Sequence, residues 1–273
     1  MVPDPKLLQK YRLSPNLPRH VAVIMDGNGR WAKKQSLPRI VGHRHGPESV
    51  RAAVDFCGRL GIDTLTLYAF STENWRRPRM EVSLLMKLLT RYLRGEVENL
   101  LRNNVRLRAI GRLNDLPSEC RAELQKAQKA LAHCTGLQLV LALSYSGRAD
   151  LTDAMRSIAS DVKKGTLKPD AVDEALISSR LSTAGLPEVD LMIRTSGEMR
   201  ISNFLLWELA YAEFYVTKTL WPDFREKDMA AALRDFQKRN RRFGGLVNVK
   251  GAERSWFGLS KAGIRPLLKG SRR

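Results

Sequence analysis

Asp26 and the glycine-containing turn that follows it are the first residues of the chain that could take part in chemistry. Residues 21–25 are apolar and predict a short buried β-strand that ends at Asp26. Gly27 and Gly29 allow a tight turn whose N–H groups can approach a ligand, and a helix beginning near Arg30 would favour an anion there. A carboxylate at the carboxyl end of a strand suits a hard cation such as magnesium. The pattern predicts a metal–phosphate site, with an ordinary β-turn as the alternative.

Arginine recurs in four polar loops, each of which follows a predicted strand. Because the carboxyl ends of parallel strands meet at one edge of a sheet, these loops are expected to gather where ligands bind. Planar guanidinium groups bind phosphate oxygens in bidentate fashion, so the pattern favours a phosphate ligand over solvated surface residues. The loops span residues 26–30, 71–79, 144–148 and 194–202, and their arginines include Arg30, Arg76, Arg77, Arg148, Arg194 and Arg200.

Several common phosphate-binding motifs are missing. The chain has no Gly-x-x-x-x-Gly-Lys-Ser/Thr segment, which argues against nucleotide hydrolysis. Gly27 and Gly29 lack the third glycine of a dinucleotide fingerprint. Aspartate-rich boxes of the kind that hold several magnesium ions in trans-type prenyl synthases are absent too.

The elements that must position these loops alternate between strands and helices. This alternation predicts a single α/β domain with a central, mainly parallel sheet flanked by helices. Predicted strands cover residues 21–25, 64–70, 105–110, 137–143, 190–194 and 214–216. Predicted helices cover residues 47–60, 82–101, 117–132, 149–164, 169–180 and 225–239, and residues 1–19 are expected to form an irregular arm.

Composition bounds the class of protein. The chain has 273 residues, with 47 lysines and arginines against 28 acidic residues, a formal net charge of +19 that favours polyanionic partners. Three cysteines without a Cys-x-x-Cys spacing favour reduced thiols and a cytoplasmic protein. The first 20 residues do not resemble a signal peptide, and no window approaches a membrane span, so we expect a soluble or at most peripheral protein.

Three sequence blocks resemble the signature blocks of cis-prenyltransferases, most closely those of the undecaprenyl (polyprenyl) diphosphate synthase type. The first is Met-Asp-Gly-Asn-Gly-Arg-Trp-Ala at residues 25–32, and the second is Tyr-Ala-Phe-Ser-Thr-Glu-Asn-Trp at residues 68–75. The third is Ile-Arg-Thr-Ser-Gly-Glu-Met-Arg-Ile-Ser-Asn-Phe-Leu-Leu-Trp at residues 193–207. The resemblance implies a catalytic domain over residues 20–245 that condenses isopentenyl diphosphate onto an allylic diphosphate primer, for which farnesyl diphosphate is expected, to give a long-chain cis-polyprenyl diphosphate such as undecaprenyl diphosphate.

The resemblance also implies roles for individual residues. Asp26 would hold Mg²⁺ against the diphosphate of the primer, with Glu213 as a second acidic ligand, and Asp26 and Asn74 are the candidate catalytic residues. The residues implied to bind the primer diphosphate or lie close to it are Gly27, Asn28, Gly29, Arg30, Arg39 and His43. Those implied to bind isopentenyl diphosphate are Arg194, Arg200 and Ser202, and those implied to form a closing loop are Ser71, Asn74, Trp75 and Arg77.

Some residues have two open interpretations. Trp31 is either part of the substrate site or a core residue beneath the glycine turn. Glu198 is either a site residue or a solvated acid, and Glu73 and Glu81 are capping or surface acids on the simplest interpretation. The leucine-rich face of residues 84–100 predicts a core-facing stripe; the resemblance implies that the same helix lines a hydrophobic tunnel for the polyprenyl chain.

The chain departs from the family pattern in two places. Ser144-Tyr-Ser-Gly-Arg148 stands where the family more often has Asn-Tyr-Gly-Gly-Arg, which puts in doubt any role of that asparagine or glycine. Residues 246–273 form a basic tail outside the resemblance, which is either a solvated extension or a contact for anionic lipid at a membrane.

Rival functions and partners follow from the same features. The resemblance implies a homodimer with its surface near the last strand and residues 241–245. A non-catalytic subunit of the same fold is one alternative, although such subunits typically lose the Asp-Gly-Asn-Gly-Arg block that this chain keeps. A nucleic-acid binder driven by net charge is another, but its basic residues should interleave with aromatics on one face, so no nucleic-acid partner is expected.

Overall fold

Six parallel strands form one sheet in the order β3-β4-β2-β1-β5-β6 in the computed structural model, which describes residues 2–239. The inner strands β1 and β4 are almost wholly buried, as expected of apolar runs in a parallel sheet that helices cover on both faces. The strands are β1 (His20–Ile24), β2 (Thr64–Ser71), β3 (Arg106–Ile110), β4 (Gln138–Tyr145), β5 (Leu191–Arg194) and β6 (Glu213–Val216). All six predicted strands are confirmed within a residue or two.

Helices connect the strands from β1 to β5, because a parallel pair needs a crossover connection, whereas residues 195–212 between β5 and β6 contain no helix. Four short 3-10 segments accompany them, of which residues 72–76 after β2 matter most for the site. In the described range the helices are α1 (Pro5–Tyr11), α2 (Asn28–Lys34), α3 (Arg39–Arg59), α4 (Arg79–Arg102), α5 (Ser118–Ala130), α6 (Gly147–Lys163), α7 (Glu174–Arg180) and α8 (Glu226–Gln237).

The strand order reverses beside β1. Strands β2, β4 and β3 lie in that order on one side of β1, whereas β5 and β6 lie on the other side. In open α/β sheets the crevice at the carboxyl ends of the strands, where the order reverses, is the usual place for a ligand. The loops after β1 and β5 therefore meet at the position that the topology favours.

The predicted irregular arm is wrong for residues 5–11, which form α1. Asp4 caps this helix through its side chain, and Leu7 is buried. Tyr11 packs edge-on against Phe56 of α3, and its hydroxyl donates to Glu226 at 2.7 Å. The helix is stabilised by these tertiary contacts, which a short stretch with few apolar residues does not reveal.

The predicted start of a helix at Pro47 is also wrong, because α3 begins at Arg39 and continues through Pro47. Proline cannot donate a backbone hydrogen bond, so it is common in the first turn of a helix but tolerated further inside at a cost. Here it lies in the third turn, next to Gly46, on the side of α3 that faces a cavity.

No helix within residues 2–239 is long and apolar enough to cross a membrane. The predicted boundary at residue 245, the basic tail of residues 246–273 and the residues 241–245 of the expected dimer surface lie outside the described residues.

Candidate functional site

A cavity of about 820 Å³ opens at the carboxyl edge of the sheet, beside β1 and β5. Its polar end is formed by the loops after β1, β2, β4 and β5, and its apolar end by α3, α4 and the strands beneath them. Most of the predicted site residues line it: Asp26, Gly27, Asn28, Gly29, Arg39, His43, Ser71, Asn74, Arg77, Arg194 and Ser202. The expectation that the four arginine-containing loops converge is therefore confirmed in geometry.

Asp26 lies between two arginines at the mouth of the cavity. Arg194 at the end of β5 donates to Asp26 Oδ2 at 2.9 Å, and Arg30 Nη2 lies 3.3 Å from the same oxygen. Burial raises the pKa of Asp26, but the Arg194 hydrogen bond, the Gly27 N–H and the two arginine charges outweigh it and hold that pKa below its ordinary value. Asp26 is therefore ionised at neutral pH and able to bind a cation.

The glycine turn is shaped by close packing. Gly27 has φ +106°, a left-handed conformation that favours glycine, and a Cβ atom there would meet Leu220 and Ser196 at about 3 Å. Gly42 of α3 lets the turn approach closely, since a Cβ would come within 2.0 Å of the Asn28 carbonyl oxygen. The first N–H groups of α2 have no partner within the helix, so this packing presents backbone donors at the cavity.

Three buried polar atoms at this end of the cavity have no hydrogen-bond partner among the described residues: Asn28 Oδ1, His43 Nε2 and Arg194 Nε. Buried polar groups are rarely left unpaired in native proteins. All three residues line the cavity, so a polar ligand there would satisfy groups that the protein itself leaves open.

His43 carries no charge at neutral pH. Burial lowers its pKa to about 4, with the charges of Arg77 and Arg39 adding to the effect and Glu81 opposing it. Arg77 and Arg39 in turn both pair with Glu81, at 3.2 Å and 3.4 Å. Glu81, interpreted from the sequence as a capping or surface acid, thus joins two cavity arginines.

Arg194 also organises the third sequence block. Its Nη1 donates to Ser202 Oγ at 2.8 Å and to the carbonyl oxygen of Arg200. Ser202 and Asn203 both have positive φ, 49° and 61°, an uncommon conformation for residues other than glycine. Such strain is typical of sites whose geometry the surrounding structure fixes.

Five predicted site residues lie outside the cavity lining. Arg30 and Arg200 both pair with Glu198 beside the mouth, so Glu198 joins the edge of the site. Trp31 fills neither the cavity nor the core: it is half-buried, packs at a tilt against the His45 ring and donates to Asp223 at 2.7 Å.

Trp75 packs against Phe70 and donates to Ser144 Oγ at 2.9 Å. It therefore anchors the segment after β2 from beneath and does not face the cavity.

Glu213 is not brought to Asp26 within one chain. It is the first residue of β6 and pairs with Leu191, whereas Asp26 follows the far end of β1, which is level with Arg194 and Val216. Three residues along a strand correspond to about 10 Å. The Glu213 carboxylate instead pairs with Arg239 at 2.7 Å.

Two cavity residues, Glu73 and Asn203, were not assigned to the site from the sequence. Asn203 donates to Glu73 at 2.8 Å and accepts from the backbone N–H of Arg148, so it joins three of the four loops. Their signal was available, because Glu73 lies in the second sequence block and Asn203 in the third.

Comparison with known proteins agrees with this geometry. The family model described as undecaprenyl diphosphate synthase matches residues 24–244. An isoprenyl transferase from Chlorobaculum tepidum is 50% identical over 241 residues, which cover 88% of this chain and 91% of the relative. A ditrans,polycis-undecaprenyl-diphosphate synthase ((2E,6E)-farnesyl-diphosphate specific) from Aliivibrio fischeri is 51% identical over 228 residues, 84% of this chain and 89% of the relative.

The fold is shared with a solved enzyme structure. Lavandulyl diphosphate synthase from Lavandula x intermedia, in complex with dimethylallyl diphosphate, superposes with a TM-score of 0.82 at 38% identity, covering 84% of this chain and 98% of that one. The family model, the relatives and the fold coincide on the part of the chain that builds the cavity. The chain belongs to the undecaprenyl diphosphate synthase family of prenyltransferases.

Proposed function

We propose that this prenyltransferase condenses isopentenyl diphosphate units onto an allylic primer, farnesyl diphosphate, to give a long-chain cis-polyprenyl diphosphate of the undecaprenyl type. One observation carries the proposal: a single cavity joins an arginine-rich end to an apolar end. A prenyl diphosphate has the matching form, an anionic head on a hydrocarbon chain. The farnesyl-specific name of the Aliivibrio fischeri relative supports the choice of primer.

The primer diphosphate binds at the glycine turn. Asn28 and Gly29 offer backbone donors, whereas the Gly27 N–H is taken by Asp26 at 2.6 Å; Arg39 lies against Gly29, and Arg30 pairs with Asp26. Arginine forks match phosphate oxygens bidentately, which fixes the position of the leaving group. The neutral His43, with its open Nε2, donates a hydrogen bond from that nitrogen to the same diphosphate.

The diphosphate of isopentenyl diphosphate binds on the β5 side. Arg194 has an open Nε there, Ser202 Oγ lies 2.8 Å from its Nη1, and Arg200 lies in the same loop, where its carbonyl oxygen accepts from Arg194 Nη1. This arrangement separates the two anions across Asp26, so that the reacting carbons of the two substrates both lie toward the apolar end.

The donor set fits a magnesium ion shared with substrate. No group of three or more histidine, cysteine or acidic side chains in residues 2–239 could hold a metal alone. Mg²⁺ is typically bound by one or two carboxylates together with substrate phosphates. Asp26 and the open Asn28 Oδ1 would hold it, and Glu213 could serve only from outside this chain's own site. The ion would neutralise charge on the departing diphosphate.

Chain growth follows from this placement. The C–O bond of the primer breaks, and diphosphate leaves with both electrons. The double bond of isopentenyl diphosphate attacks the allylic carbon, a new C–C bond forms, and a proton is lost to restore a double bond in the cis configuration. Arg30, Arg39 and the turn N–H groups stabilise the charge that develops on the leaving group.

The segment after β2 closes the site. Ser71 caps the 3-10 turn of residues 72–76, and Asn74 Oδ1 accepts a hydrogen bond from the Ser71 backbone N–H at 3.3 Å. Asn74 and Arg77 both line the cavity, and Trp75 anchors the turn below. We assign Asn74 to holding isopentenyl diphosphate in the attacking orientation.

The test is the reaction itself. Incubation with both diphosphates and Mg²⁺ yields polyprenyl diphosphates of several added units. Asp26→Asn, which keeps the shape but removes the charge, lowers turnover on the order of a hundredfold or more. Asp63→Asn is the matched control, since Asp63 is an exposed aspartate paired with Arg19 away from the cavity. Full activity in Asp26→Asn contradicts the assignment.

The partners and location follow from the same proposal. We place the enzyme in the cytoplasm, with peripheral contact to anionic membrane. We also propose that it is a homodimer, which the exposed Phe214 on the edge strand β6 supports. The nucleic-acid alternative predicts steeply salt-dependent oligonucleotide binding, which a salt titration measures.

A further inference from the structure

The apolar wall of the cavity lies between α3 and α4. On α4 the lining residues recur at helical spacing, from Leu85 through Leu88 and Leu89 to Tyr92. Residues three and four apart lie on the same face of a helix, so the next position on this face is Glu96. A carboxylate thus follows directly where the hydrocarbon-lined face ends.

Glu96 is buried and bonded to the opposite helix. It is 5% exposed, and its Oε1 accepts from Arg51 Nε at 2.8 Å and from Arg51 Nη2. Asn99 donates to its other oxygen at 3.3 Å. Arg51 follows Val50, the last cavity residue of α3, and keeps half of its side chain in solvent. Burial raises the pKa of Tyr92 and the charge of Glu96 raises it further, as expected of a carboxylate that lies one helical turn beyond the last lining residue of α4.

Two ion pairs between α3 and α4 therefore enclose the apolar wall. Arg39–Glu81 lies at the mouth, and Arg51–Glu96 adjoins the last lining residues of the two helices, Val50 and Tyr92. On α3 the two arginines are separated by about 18 Å along the helix axis. A hydrocarbon that grows from the mouth reaches the second pair after passing Leu85, Leu89 and Tyr92.

We propose that the Arg51–Glu96 pair is a polar stop on the α3–α4 side of the cavity and thereby helps to set product chain length. The inference rests on the proposed function. Hydrocarbon that moves against the ion pair removes water from two charges, and breaking the pair leaves the buried Glu96 carboxylate without its partner, so both cost free energy. Each isoprene unit that would extend beyond the pair meets this cost, so elongation slows there and product is released.

The experiment replaces Glu96 by methionine, an apolar side chain of similar length. Arg51 is half exposed and remains solvated without its partner, so the substitution leaves no buried charge. Products are separated by chain length on reversed-phase chromatography and identified by mass spectrometry. Glu96→Met shifts the distribution to products longer by one or more isoprene units, with the rate of the first condensation unchanged. An unchanged distribution overturns the inference.

Glu123→Met is the matched control. Glu123 of α5 is also mostly shielded and pairs at 3.3 Å with Arg94, on another face of α4. The Glu123→Met variant is expected to make wild-type products. If its product distribution shifts as much as that of Glu96→Met, the loss of any α4 ion pair acts through stability alone, and this contradicts the inference.

Further variants keep the test decisive. Glu96→Asp retains the charge and restores products close to wild type. Should Glu96→Met fail to fold, Glu96→Gln carries the test, with a smaller shift of the same sign expected and no shift counting against the proposal. Wild-type protein that makes no polyprenyl diphosphate contradicts the proposed function itself, whereas normal wild-type products with no change in the Glu96 variants contradict only this inference.

Discussion

Charge at the mouth of the cavity is set by which side chains face one another there. Four arginines lie close together there, and each pairs with a carboxylate. Asp26 pairs with Arg30 and Arg194, and Glu81 pairs with Arg39 and Arg77. The carboxylates offset repulsion between the arginines in the absence of substrate. They also orient the guanidinium groups, so less side-chain entropy is lost when a diphosphate binds.

His43 gives this arrangement a measurable signature in pH. Its pKa falls from an ordinary 6.5 to about 4, through burial first and then the charges of Arg77 and Arg39. A histidine with a lower pKa in the folded state stabilises the fold above the unfolded-state pKa, and this contribution is lost as pH falls from about 6.5 toward about 4. We expect the free energy of unfolding of the wild type to decrease over that window.

His43→Gln should flatten this dependence, because the variant has no proton to take up on unfolding at that position. Urea titrations at a series of pH values between 4 and 7 measure the difference. The exposed His133→Gln is the control and should follow the wild type. Parallel curves for His43→Gln and wild type would show that His43 is not held neutral by its surroundings.

At the scale of elements, Ser144 shows how this chain accommodates its departure from the family pattern. It has φ 45°, is fully buried, and lies near the end of β4. Its hydroxyl accepts from Trp75 Nε1 at 2.9 Å and donates to Asp115 at 2.8 Å. Ser146 instead caps α6. The first serine therefore supports the turn that carries Asn74, and the second starts a helix.

Ser144→Ala is expected to destabilise the protein by about 1–2 kcal/mol, because the Trp75 indole loses its acceptor in a partly buried place. Ser146→Gly should cost only a few tenths of a kcal/mol, as glycine is an acceptable N-cap. Urea unfolding compares the two. Equal stability of Ser144→Ala and wild type would mean that the hydroxyl bridge contributes nothing to anchoring Trp75.

The same scale explains what the sequence could predict. Apolar runs between turn residues located all six strands, and the parallel arrangement then placed Asp26 and Arg194 at one edge without further information. Helix α1 was missed because its stability comes from contacts with α3 and α8 that are distant in sequence. The Glu73–Asn203 bond was missed for the same reason, since 130 residues separate the two.

Across the whole molecule, positive charge is present both around the cavity and in the tail. Residues 246–273 contain seven cations and one acidic residue; the cations are Lys250, Arg254, Lys261, Arg265, Lys269, Arg272 and Arg273. A hydrocarbon product that leaves the cavity needs an apolar acceptor, and a bilayer supplies one. Basic segments attract anionic leaflets by about 1 kcal/mol for each cation near the surface.

Replacing Lys261, Arg265 and Lys269 by glutamine should therefore weaken binding to vesicles that contain anionic phospholipid by about 3 kcal/mol if all three cations approach the surface. Replacing the exposed Lys163, Lys164 and Lys168 near the end of α6 changes the net charge equally and is the matched control, which should bind nearly as the wild type does. Vesicle cosedimentation at fixed ionic strength measures both, with zwitterionic vesicles as the baseline. Equal losses of vesicle binding in the two triple variants would mean that net charge alone governs the attraction. No loss in either variant would mean that the tail does not contribute to membrane binding, so that the cavity mouth would exchange its hydrocarbon with the bilayer without help from the tail.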